Sequence, residues 1–175
     1  MKDIEIIDEL NLRIHSSNPW TSADTVYYLK EADKFLKVMP ATAYMIKGIV
    51  YTHDKDEKNM RKNFEYALQI CENEIIVLNY ITSLQKFEYL AEAINLGLKY
   101  EKIFKSEEIT KRIAKLYLQL GLLRKAKLYL SQFISEDNIN NIFLKNEPYI
   151  HSEAFKKMQE SFKKNRQIWL NLANS

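Results

Sequence analysis

The stretch LYLQLGLLRKAKLYL, residues 116–130, decides how the rest of the chain is read. Its apolar residues recur at three- and four-residue spacing, the pattern of one buried helix face. Gly121 interrupts it at the centre, where a helix loses roughly 1 kcal/mol relative to alanine. A glycine there marks a reversal between two helices. Ala126, just beyond it, is small enough to let the second helix lie close against the first. The expectation is a helical hairpin, not one continuous helix.

The same spacing runs through nearly the whole chain, and no long alternating segment interrupts it. It predicts helices over 3–15, 22–38, 41–53, 56–71, 74–85, 88–103, 107–120, 122–134 and 151–172. Thr21 and Asp24 have the spacing of a capping box at the start of the second. Pro40 closes it off by disfavouring helix at Met39. Only three glycines and three prolines occur in 175 residues, too few for a sheet-rich fold with many tight turns. The chain is expected to be all-α and to form one domain with a sizeable core.

Short links make successive helices antiparallel neighbours, so the question is whether the hairpins repeat. Met60, Ala93 and Ala126 stand 33 residues apart, as do Tyr51, Leu84 and Tyr117, and likewise Gly48, Ile81 and Ala114. One period relates three hairpins beginning near Ala41, Glu74 and Glu107. Residues 107–134 carry the pattern best, with Ala114, Tyr117, Gly121 and Ala126. Residues 41–72 carry it through Tyr44, Gly48, Tyr51, Phe64 and Ala67, with Lys55 at the turn and Met60 in place of alanine. The middle hairpin keeps Ala93 but has Gly97 and Tyr100 at atypical positions, and Glu88 at the turn predicts a looser link.

Over 41–134 the chain resembles the tetratricopeptide repeat, a helix-turn-helix unit of about 34 residues. The resemblance implies a right-handed α-solenoid of antiparallel hairpins with about three units. Residues 1–40 would be a diverged N-terminal hairpin, 135–150 a loop, and 151–175 a C-terminal capping helix, all one domain. Caps are needed because a single hairpin cannot bury its own apolar face.

The resemblance further implies that the first helix of each hairpin lines a concave face that binds a peptide. Met45, Ile49 and Thr52 would supply the first part of that lining, together with Thr42. Ile75, Leu78, Asn79 and Thr82 would supply the second, with Gln85. Lys111, Arg112 and Lys115 would supply the third, with Glu108 and Leu118. One subclass of the family clamps the C-terminal carboxylate of heat-shock chaperones with Lys and Asn. Here Met45 and Ile49 replace the first two clamp residues and Glu108 opposes another, so that capture is not expected. The lining reads as apolar at one end and basic at the other, suited to apolar anchors and an acidic residue. Met45, Ile49 and Leu78 have a second reading as core, covered by the N-terminal hairpin.

Charge and motifs narrow the function class. The net charge is +3, from 26 Lys+Arg against 23 Asp+Glu, without the concentrated basic face of a nucleic-acid binder. Cys71 is the single cysteine, so neither an internal disulfide nor a cysteine-rich zinc site is expected. His15, His53 and His151 have no second ligand at helical spacing, and THDKDEK, residues 52–58, reads as a solvated charged turn. No HExxH, CxxC, GxSxG or phosphate-binding loop occurs. An enzyme, a metal and a cofactor are all not expected. No signal-peptide pattern or run of about 20 apolar residues is present, which points to a cytoplasmic protein with no membrane contact.

In the C-terminal helix Phe155, Met158, Phe162 and Trp169 share one face, and Lys156, Lys157, Lys163, Lys164 and Arg166 occupy much of the rest. It reads as a solvated cap, with Trp169 also a candidate partner anchor. The function expected is a non-catalytic adaptor or chaperone-like module for another protein. The alternatives are an antitoxin- or immunity-type masking protein, a subunit that self-associates through the last helix, and a nucleic-acid-associated factor using that basic helix.

Overall fold

The computed structural model describes residues 2–17 and 19–132. Among these, all regular structure is helical: α1 (Lys2–Ser16), α2 (Ser22–Asp33), α3 (Pro40–His53), α4 (Glu57–Ile70), α5 (Glu74–Lys86), α6 (Leu90–Phe104), α7 (Glu107–Gln119) and α8 (Leu123–Leu130). The protein is all-α over this span. The loop and final helix expected after residue 134, and Trp169 with them, lie outside the described residues.

Local chemistry sets the helix starts. Thr21 and Asp24 form the reciprocal capping box at α2. Pro40 occupies the first position of α3, where its missing N–H costs nothing. Asp56, Asn73 and Ser106 each accept a backbone N–H at the heads of α4, α5 and α7. The second helix is shorter than its apolar pattern predicts. From Lys34 the N–H groups bond three residues back instead of four (Lys34 to Glu31, Phe35 to Ala32), which tightens the chain ahead of Pro40.

The helix ends carry the repeat. Lys55, Glu88 and Gly121 all lie in the left-handed region, with φ of 60°, 64° and 71°. Their residue numbers differ by 33 each time. At Lys55 the N–H donates to Thr52 O at 3.4 Å, and the next N–H, Asp56, reaches back to Tyr51 O at 3.0 Å. At Gly121 the same pair runs to Leu118 O and Tyr117 O, both at 2.9 Å. Glu88 N–H donates to Gln85 O at 3.0 Å. These are left-handed caps that satisfy the last carbonyls of α3, α5 and α7. Glutamate at 88 takes the backbone conformation that glycine takes at 121. Of the positions picked out at the same interval, Met60, Ala93, Ala126, Ile81 and Ala114 are fully buried, whereas Tyr51 is only half-buried.

The chain divides into two compact units, Met1–Glu88 and Tyr89–Ser175. In the first, α3 is central and packs against α1, α2, α4 and α5. Ile46, Val50, Met60, Phe64, Val77 and Ile81 fill the interior. Each large side chain there is worth about 1.5–3 kcal/mol of burial. The Phe64 ring stacks on Tyr80, 4.9 Å between centroids. Thr52 Oγ1 donates to Ser83 Oγ at 2.8 Å, joining α3 to α5 inside the core. In the second unit, α7 packs against α6 and α8 around Ile94, Ile109, Ile113, Leu116, Tyr117 and Leu120.

Gly48 makes the α3–α4 contact possible: a Cβ there would sit 2.7 Å from Phe64 Cδ2 and Cε2. That ring is fully buried and cannot simply swing aside. Gly48→Ala is therefore expected to destabilise the fold, although alanine is the better helix former by about 1 kcal/mol, because overpacking costs about 1–3 kcal/mol. Urea unfolding of the two proteins measures the balance, and a variant of higher stability would contradict this packing.

Candidate functional site

The three α3 residues expected to line a groove are inside the protein. Met45, Ile49 and Thr52 are 4%, 3% and 6% exposed. The cause is packing on several sides of α3, which meets α1, α2, α4 and α5. Met45 and Ile49 are core, and Thr52 spends its hydroxyl on Gly48 O and Ser83. The apolar end of the expected lining is thus not an open surface at α3.

The α5 residues differ. Ile75 is 59% exposed, and Leu78, Asn79 and Thr82 are half-buried. Asn79 Nδ2 donates to Ile75 O at 2.8 Å and lies 3.7 Å from Met45 Sδ. Thr82 Oγ1 donates to Leu78 O at 2.8 Å. With those donors used along the helix, the exposed part of this face offers mainly apolar carbon, the kind of surface that accepts an apolar side chain.

On α7, in the second unit, Lys111 is engaged: its Nζ is 2.6 Å from Glu107 and 3.5 Å from Glu108. The hydrogen bond to Glu107 is the main cause that raises its pKa. Arg112 is half-buried and Lys115 exposed, and among the described residues neither forms an ion pair. The basic character expected at this end therefore rests on Arg112 and Lys115.

Asp54, Lys55 and Lys58 of the charged turn are exposed, while His53 at its start is half-buried in an aromatic cluster. The Trp20 ring stacks on the His53 imidazole, 4.6 Å between centroids, and on Tyr28 at 5.5 Å. Trp20 Nε1 donates to Thr25 Oγ1 at 2.9 Å, and Thr25 Oγ1 donates to Asp54 Oδ1 at 2.9 Å. Lys86 Nζ lies 3.3 Å from His53 Nε2. The available signal was the period itself, since His53 and Lys86 are 33 residues apart.

The second unit also holds an open cleft of about 430 Å³ lined by Glu101, Lys102, Lys105, Thr110 and Gln132. Among the described residues no group of three or more His, Cys, Asp or Glu is placed to hold a metal ion. No described helix is long and apolar enough to cross a membrane. No family model matches the chain, and no curated protein or solved structure is significantly similar to it.

Near this cleft Tyr129 leans on Tyr117, 5.5 Å between ring centroids. Burial first, then Tyr117 and Glu101, push the Tyr129 pKa from 10.0 up to about 12. A phenol with a raised folded pKa ionises first in the unfolded chain, so its contribution is intact below pH 10 and is lost as pH rises towards 12. Tyr129→Phe is expected to flatten the fall in stability across that window. Denaturant unfolding of both proteins at several alkaline pH values checks it, and parallel curves would refute the assignment.

Proposed function

We propose that the protein is a non-catalytic interaction module: a tetratricopeptide-like solenoid of antiparallel hairpins that binds segments of another protein, as an adaptor or chaperone-like factor in the cytoplasm. The observation that carries this reading is the recurrence of one left-handed helix cap at Lys55, Glu88 and Gly121. A cap repeated at a fixed interval is what a stacked helical repeat requires, and such repeats serve mainly as binding scaffolds. In the first unit Ile75 and Leu78 on α5 take apolar side chains of a partner, and in the second unit Arg112 and Lys115 on α7 take acidic ones. The helices are ordered before binding, which reduces the entropy lost on association.

The test is selection of peptides from a displayed library on the intact protein, with affinities measured at low and high salt. The selected peptides are expected to share an apolar anchor and an acidic residue. Leu78→Glu should weaken them at least about tenfold, equivalent to 1.4 kcal/mol, with circular dichroism unchanged. Arg112→Ala/Lys115→Ala should weaken them less, and mainly at low salt, because exposed charges are screened. Binding of nucleic acid that falls steeply with salt, with no peptide selected, would overturn this reading in favour of the basic C-terminal helix.

A further inference from the structure

The His53 cluster has a chemistry of its own, independent of peptide binding. An ammonium has three donors and no acceptor, whereas a neutral imidazole has one of each. At 3.3 Å, Lys86 Nζ and His53 Nε2 can share one proton, donated by whichever group holds it. They cannot both be cationic without placing two donors and two positive charges face to face. We propose that His53 and Lys86 form a one-proton clasp between the ends of α3 and α5, opened when acidification adds the second proton.

The surroundings favour an exchange of partners rather than simple loss of contact. Protonated imidazole remains under Trp20, whose ring face attracts a cation. Asp54, next in the chain, is already hydrogen-bonded by Thr25 and adds a negative charge nearby. Other charged or titratable groups lie on the elements around it. From α2, Tyr28 stacks on the far side of the indole network and bonds Ser17, beyond the end of α1, while Asp24 is held in the capping box. Asp33 is paired with Lys47. Lys55 is exposed at the turn, Asp56 caps α4, and Glu57 is held by Arg61. From α5 it is Lys86 that meets the ring, and partial desolvation lowers its pKa. Acidification through the imidazole range thus releases Lys86, the last residue of α5, and leaves the Trp20–His53 stack in place.

Trp20 is the reporter. In full-length protein carrying Trp169→Phe, its fluorescence is titrated from pH 8 to pH 5, since an imidazolium quenches a stacked indole more than an imidazole does. One quenching transition is expected. Lys86→Met removes both the opposing charge and a partner of the neutral ring, so it should raise the midpoint by about one pH unit. His53→Gln should abolish the transition. A midpoint in Lys86→Met that is unmoved or lower overturns the proposal, and so does a transition that persists in His53→Gln. The midpoint in Lys86→Met decides the matter even if His53→Gln does not fold.

Discussion

Each helical segment that begins a 33-residue interval ends in a residue held at positive φ, and much of the architecture follows from that constraint. A left-handed residue turns the chain out of the helix while its N–H groups satisfy carbonyls the helix leaves open. Glycine adopts this backbone freely, whereas other residues pay roughly 1–2 kcal/mol. Gly121 meets the requirement without strain, and Lys55 and Glu88 meet it at that cost. The side chains of both residues are exposed at the turn.

Given the caps, small or well-fitted residues decide how closely the helices approach. Gly48 lets Phe64 lie directly on α3, and Ala126 is fully buried at the equivalent stage of α8. The crowding that results explains why α3 offers no groove. Its apolar residues are consumed by contacts on several sides, and even its polar residue Thr52 is bonded inward. On α5 and α7, by contrast, Ile75 and Lys115 are exposed and Leu78 and Arg112 half-buried.

Much of the fold was legible because helical periodicity and capping chemistry are local. The helix positions, the capping box at Thr21 and the turn at Gly121 could all be read from neighbouring residues. The backbone at Glu88 was less legible, because glutamate has no preference of its own for positive φ yet takes the conformation of Gly121. The site was less legible, since exposure depends on which helices cover which. Met45 and Ile49 have the same sequence signature whether they line a groove or fill a core, and only the packing of α2 and α5 distinguishes the two. The contact of His53 with Lys86 was hidden differently. Charged residues around His53 suggested solvent, while the period that brings Lys86 to it was applied to apolar positions alone.

Lys55 and Glu88, neither of them glycine, adopt the backbone of Gly121. Intraresidue amide–Hα nuclear Overhauser effects in the labelled protein test this directly, because positive φ brings those two protons together. Strong effects are expected at Lys55 and Glu88, well above those of the helical residues on either side. Weak effects at both, of the size seen within α3 and α5, would contradict it and remove the backbone repeat on which the functional reading stands.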